Sequence, residues 1–382
     1  SNCSEKVNVA VCPVYNMHGA KKKPHYANGK FGKGSRIVSL ERPRWTYVVS
    51  RIAPAFFRAD AIKELRLDEG VTYYEDTKFC SEALMDSMLL GIVSGCAYYY
   101  RRSSGEESDD FSSLTTTATD DPSFYLESPK RVSLDVLEEC VEKFGRVPKY
   151  YQFVSLAEMK WRIFYNNSSI EDVLSEDELA DYKETSDRIM SYIEYESILE
   201  CDLYSSWQKV YLMSLKHGSN ILDESRYDET GTLLWRQFEL SYAPDAAKVL
   251  LMSMGVSNGI AHVKGFYNEL IEKEVEIYAR VSGEKRDFDF EYDGPRVTRF
   301  ALRHEDYMAK RRAFDLDLPM ESEKKRIEFF YKIQGREYPV KSIALSSAIN
   351  IDLLRPVERI EEGWILKRSS SRLEIKKSTA SG

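Results

Sequence analysis

A change of hydrophobic period limits what this chain can fold into more than any other feature. Between about residues 129 and 217 apolar side chains recur at helical spacing, whereas beyond about 245 they recur at every second position. A helical repeat and a strand repeat cannot share one layer, so the two stretches must build separate parts of the molecule. The length of 382 residues agrees, since one core rarely fills so long a chain and two or three domains are expected.

Within the helical stretch, Ser133 is expected to cap a helix over Leu134 to Phe144, whose stripe is Val136, Leu137, Cys140, Val141 and Phe144. Pro148 opens a second helix that runs to about Tyr165, and Ser175 with Glu178 forms a capping box for a third over Glu176 to Tyr192. A fourth spans Tyr204 to Leu215 and stops at Gly218. Further on, about eight short strands fall between Val249 and Ile375, separated by turns such as Ser257-Asn258-Gly259 and Gln334-Gly335, which reads as an antiparallel sandwich. Asp287 to Glu291 and Asp315 to Asp317 mimic metal motifs, but alternation places their acids towards water and their apolar residues inward.

The first hundred residues mix both periods. Val7 to Tyr15 reads as a buried strand and Arg36 to Leu40 as another. A short helix is expected from Asp60 to Leu65, then a longer one from Asp76 to Leu90 closed by Gly91, then a strand from Ile92 to Tyr100. A strand as apolar as Val7 to Val14 normally has earlier sequence to pair with, so the chain reads as a fragment. Residues 103–122, rich in Ser, Thr and Asp, bury little and read as a linker.

Charge and cysteines narrow the function. A net charge of −8 argues against nucleic acid, which requires a clustered basic surface. Cys3, Cys12, Cys80, Cys96, Cys140 and Cys201 are scattered without a CxxC, as reduced thiols in the cytoplasm would be. No apolar run approaches the ~18 to 20 residues of a membrane span, and no signal peptide is visible at the N-terminus. The 25 tyrosines suit carbohydrate faces, and equally domain interfaces and strand surfaces.

The informative segment is Ala55 to Arg102. It holds Phe56-Phe57-Arg58-Ala59-Asp60, then Leu67-Asp68-Glu69-Gly70, Tyr74-Glu75-Asp76, Phe79 and Tyr98-Tyr99-Tyr100-Arg101-Arg102 in that order. This pattern resembles the second half of family 2 glycosyltransferases of the GT-A fold, of the large Gram-positive wall teichoic acid and capsular polysaccharide type. The resemblance implies a multidomain α/β, α and β architecture. A partial, Rossmann-like GT-A domain would occupy residues 1–105, a linker 106–128, a helical region 129–244 and an immunoglobulin-like sandwich 245–382.

The same resemblance implies an inverting transfer from a UDP-linked sugar to a wall, teichoic acid or capsular polymer. Asp76 would be the general base that takes the acceptor's proton, with Glu75 orienting the acceptor or assisting the metal shell. The start of a helix keeps such a carboxylate ionised, although Glu-Asp is also an ordinary charge preference there. His18 and His25 are candidates for acceptor or metal contacts, Trp45 for stacking on a sugar ring, and Arg101 and Arg102 for contacts to diphosphate or acceptor phosphate; each could equally be a loop, core or surface residue without a role. Mn²⁺ or Mg²⁺ would serve the complete enzyme, held by a DxD that this sequence does not show, and no metal ligand is assigned here. Without those elements the chain alone is expected neither to bind nucleotide-sugar tightly nor to turn over. Family likeness extends the expectations to a cytoplasmic location, peripheral contact with the inner face of the membrane, and homo-oligomers through the sandwich. The alternative is a non-catalytic module for polymer binding or oligomerisation.

Overall fold

The computed structural model describes residues 7–18, 21–101, 117–164, 170–242, 248–268, 275–287, 292–295, 310–345, 357–360, 364–369 and 371–377. Residues up to Ser205 gather into one compact unit and the described residues from Ser206 onward into another.

The first unit is built on a four-stranded sheet. Its strands are β1 (Val9–Val11), β4 (Arg36–Ser39), β5 (Ala55–Phe57) and β6 (Leu89–Ile92). The order is β4-β6-β1-β5, with β1 parallel to β6 and antiparallel to β5. A second sheet, β3-β2-β7, comprises β2 (Val14–His18), β3 (Lys21–Pro24) and β7 (Tyr98–Arg101), with β2 parallel to β7. The single strand expected over Val7 to Tyr15 is thus broken at Cys12-Pro13. Pro13 has no N–H for a ladder, its carbonyl accepts from Tyr98 N at 2.8 Å, and Cys12 N donates to Pro54 O at 3.0 Å. The chain changes sheets at that point.

Helix α1 (Glu75–Met85) is shorter than expected, because residues 89–92 are drawn into β6 beside β1. Gly91 is therefore a strand residue and not the C-cap. A Cβ there would come within 2.8 Å of Ala10 Cβ, so a bare backbone is what lets β1 and β6 approach. The expected strand from Ile92 to Tyr100 divides likewise into β6 and β7. Residues 60–65 form isolated turns, with Ala61 N to Arg58 O and Leu65 N to Ile62 O, since so short a run does not repay helix nucleation.

Helices α2 (Pro122–Ser128), α3 (Asp135–Phe144), α4 (Lys149–Phe164), α5 (Glu176–Tyr192) and α6 (Tyr195–Glu200) complete this unit. A π-helical turn, Pro129–Leu134, joins α2 to α3 without a break, so Ser133 is not an N-cap; its hydroxyl donates to Glu158 at 2.6 Å instead. The Ser175/Glu178 capping box is present at α5.

The second unit starts with α7 (Ser206–His217), closed by Gly218 at φ +78°. Strand structure begins earlier than the period suggested, in a small sheet of β8 (Arg226–Tyr227), β9 (Thr232–Trp235) and β10 (Phe238–Tyr242). Trp235 is wholly buried and stacks on Phe238, with His217 at its edge.

Two larger sheets follow. One orders β15-β16-β12-β11-β19, from β11 (Lys248–Ser257), β12 (Ile260–Asn268), β15 (Tyr292–Pro295), β16 (Lys310–Pro319) and β19 (Ser342–Leu345). The other orders β14-β13-β17-β22-β21-β20, with β18 also on β17. Its strands are β13 (Val275–Val281), β14 (Glu284–Asp287), β17 (Lys324–Ile333), β18 (Arg336–Pro339), β20 (Val357–Ile360), β21 (Trp364–Arg368) and β22 (Arg372–Lys377). They pack through their apolar faces, where Phe314 and Tyr267 meet Phe329, and Tyr267 OH reaches Phe330 O at 2.9 Å. Pairing is antiparallel except between β11 and β19. In β16 the acids behave as alternation requires: Asp315 and Asp317 are exposed on either side of buried Leu316 and pair with Lys264 and His262. Most of residues 287–291 lies outside the described residues. Tyr267, Tyr278 and Tyr331 are all at 2% exposure or less, so these tyrosines fill the core and offer no face to a sugar.

Candidate active site

The carboxylate pair sits where sequence reading put it, at the start of a helix. Glu75 and Asp76 occupy the first turn of α1, and Tyr74, just before them, is held at φ 68° in the left-handed region. A tyrosine adopts that conformation only if its surroundings impose it. They do so from several sides. The Tyr74 ring stacks on Phe124 of α2 at 5.9 Å, and the Arg162 guanidinium of α4 lies 4.7 Å from its centre. Next to it, Tyr73 O accepts from Ser128 Oγ at 3.0 Å, and Tyr73 OH donates to Asp121, the residue that caps α2, at 2.9 Å.

Asp68 of the Leu67-Asp68-Glu69-Gly70 string explains why that motif precedes the pair. It accepts from Gly70 N at 3.1 Å, Lys78 of α1 at 2.9 Å and Nη2 and Nε of Arg131 at 2.5 and 3.2 Å. Partial burial would raise its pKa, but these donors win and hold it at about 2. One carboxylate therefore ties the turn, the helix and the π-helical segment together.

Asp76 is half-buried, and its Oδ2 accepts from Ile52 N at 3.3 Å. Burial, and then the Asp76 charge alongside, push the Glu75 carboxyl upward. Neighbouring acids with unequal environments suit unequal protonation roles. Ile52 belongs to a loop, residues 48–54, fixed at its other end where Val49 N donates to the buried Tyr150 OH at 3.3 Å. The far side of this loop lines a small cavity of about 70 Å³.

Sequence reading had singled out His25 and Trp45, and the fold brings both to this cavity, with Asn28, Lys30, Ser50 and Arg51. Asn28 acts as a surrogate strand: its amide accepts from Val14 N at 3.0 Å and donates to Val14 O at 2.7 Å. His25 N reaches the same carbonyl at 3.0 Å, and its Nδ1 accepts from Ala27 N, which caps the 3₁₀ turn Tyr26–Phe31. Trp45 starts a second 3₁₀ turn, Trp45–Tyr47.

The other candidates lie apart from the cavity lining. His18 ends β2 and Arg101 ends β7; the register places Arg101 opposite Met17, so the two residues share one end of a sheet. Tyr99 and Tyr100 on β7 are each faced by a cation, Lys22 at 4.6 Å and Arg51 at 5.9 Å. Arg102 lies outside the described residues. Lys30, Arg51 and Arg162 were not marked from sequence, because nothing local distinguishes a buried lysine in Asn28-Gly29-Lys30-Phe31 from a turn lysine.

Among the described residues no three His, Cys, Asp or Glu side chains converge as metal ligands. Ser257, His262 and Asp317 are hydrogen-bonded in series at 3.0 and 2.5 Å in the second unit. Their register on an open sheet face, with His262 and Asp317 35% and 65% exposed, makes this a wet cross-strand network. Nucleophilic catalysis needs a drier, donor-lined place.

Curated proteins are similar to the chain over much of its length. Over 339 residues, 85% of this chain, the sequence is 22% identical to the minor teichoic acid biosynthesis protein GgaB of Bacillus subtilis (strain 168). Over 222 residues, 58% of the chain, it is 24% identical to GgaA of the same organism, also a minor teichoic acid biosynthesis protein. The aligned parts make up 35% and 48% of those proteins, so the chain spans a third to half of their length. Solved structures of S. aureus TarS 1–349, one in complex with UDP-GlcNAc, overlap 61% of this chain and 66% of theirs at 13% identity, with a TM-score of only 0.38. No protein-family model matches. The resemblance read from residues 55–102 and the relatives found over the wider chain agree: the chain is similar to proteins of teichoic acid biosynthesis. Among the described residues no helix is long and apolar enough to cross a membrane.

Proposed function

We propose that this chain carries the acceptor side of an inverting, nucleotide-sugar-dependent glycosyltransferase that decorates or extends a teichoic acid or related wall or capsular polymer. The donor is a UDP-linked hexose or N-acetylhexosamine. Asp76 takes the proton of the acceptor hydroxyl as its oxygen bonds to the anomeric carbon and the diphosphate leaves with the electrons of the broken C–O bond. Glu75 orients the acceptor. The immunoglobulin-like character of the two packed sheets, and their use in oligomers or polymer contact, belong to the same proposal.

The observation that supports this most is the placement of Asp76. Its carboxylate accepts from Ile52 N, and Val48 to Arg51 and Pro54 of the same loop line the recess, so one loop touches both. The test is label transfer from UDP-sugars to teichoic acid by the full-length enzyme with the nucleotide-binding half present, comparing it with its Asp76→Asn variant. Asn keeps the acceptor for Ile52 N and loses the base, so kcat should fall roughly 10²- to 10⁴-fold with little change in thermal stability. Unaltered turnover would remove Asp76 from the role.

A further inference from the structure

The recess behind the Asp76 loop holds an arrangement that the transfer reaction alone does not call for. Lys30 is only 8% exposed, yet it meets no carboxylate there. Its Nζ donates to Val48 O at 3.1 Å, a bond that uses one of three N–H groups. Burying an ammonium without a counter-charge is costly, and desolvation lowers its pKa to about 8. Arg51 and His25 share the lining with Asn28 and Ser50, and none of the lining residues is acidic. The walls thus set these cationic and neutral donors into an otherwise apolar lining that includes Val11, Val14, Phe31, Trp45, Val49 and Pro54.

Size narrows the candidate. A water occupies on the order of 10–15 Å³ on this measure, so about 70 Å³ holds roughly five waters or one tetrahedral oxyanion with the first atoms of its bearer. Trp45 at the rim supplies an apolar face for whatever the oxyanion is attached to.

We infer that the cavity around Lys30, Arg51, His25 and Asn28 is a phosphate-binding subsite. Lys30 is the buried charge that holds the phosphate, while Asn28, clamped to both polar groups of Val14, fixes the wall opposite. Two sources share this chemistry: a phosphodiester of the acceptor polymer and the diphosphate of the donor. The inference rests on the transferase reading only for which of them is bound. With the acceptor phosphate in the recess and Asp76 across the loop, each sugar would be added at a hydroxyl a fixed distance from a backbone phosphate.

The test is isothermal titration of the chain with inorganic phosphate, glycerol 3-phosphate and UDP, on the wild type, Lys30→Met and Arg51→Gln. Methionine matches the unbranched lysine stem and removes a buried charge, so this variant should fold. Thermal unfolding checks that, and Arg51→Gln at the rim provides an independent variant. Lys30→Met should weaken glycerol 3-phosphate binding by about tenfold or more, the worth of a charge-assisted hydrogen bond, and Arg51→Gln by a few-fold. Competition by UDP would assign the site to the donor and independent binding would assign it to the acceptor; either result supports a phosphate subsite. Equal affinity in wild type and Lys30→Met, or no binding by the wild type at millimolar phosphate, would overturn it. Transfer that survives Asp76→Asn would remove the transferase reading and leave this binding result standing.

Discussion

At the scale of single residues, polar groups do most to organise the site, and their burial decides how they titrate. Glu158 of α4 is 2% exposed, accepts from Ser133 Oγ at 2.6 Å and lies 3.7 Å from Arg162, the cation that flanks Tyr74. Desolvation outweighs both partners and lifts its pKa to about 7. Because the folded state then holds the proton more tightly than the unfolded chain, Glu158 lowers stability progressively as pH rises from about 4.5 to 7, by up to about 3 kcal/mol. Glu158→Gln stays neutral throughout, so its unfolding free energy should gain on the wild type across that window when followed by urea denaturation at several pH values. A difference that stays flat with pH would show that the carboxyl is ionised throughout. Asp76, Glu75 and Asp68 were legible because acids clustered around Gly70 and a helix start form a local pattern. Arg162 and Glu158 were not, since at i and i+4 they look like an ordinary surface pair until the tertiary fold buries both.

At the scale of elements, periodicity located most helices and strands but not where they stop. The capping box at Ser175 was readable because Ser and Glu three apart satisfy each other's backbone groups locally. The end of α1 was not, because it is set by a distant partner: β1 recruits residues 89–92 as a parallel neighbour, and a local pattern cannot distinguish a C-cap glycine from one that permits close strand approach. Gly91→Ala tests this. With Ala10 Cβ only 2.8 Å from the added carbon, β1 and β6 must separate, at a cost of about 1–3 kcal/mol measured by chemical denaturation. A helix cap at the same place would lose its left-handed preference instead, yet Gly91 has no positive φ.

At the scale of the whole molecule, helices α2 to α6 gather with the first sheets and α7 with the later strands, so the switch in period does not mark the boundary between units. It also placed the onset of strands too late, because β8, β9 and β10 are short and their alternation is masked by turns. Two compact units should give two calorimetric transitions. Gly91→Ala should lower only one of them, and Trp235→Ala, which empties a fully buried site in β9, only the other, by about 3–5 kcal/mol before relaxation. A single transition moved by both variants would refute that division. The pairing of β11 with β19 has a further consequence for how the protein is made. During translation β11 and β12 can form a hairpin at once, but the outer edge of β11 stays bare until Ser342–Leu345 leaves the ribosome. Val249 and Leu251 flank that edge, so nascent chains stalled between these strands should be the species that chaperones hold and that precipitate when expression outruns them.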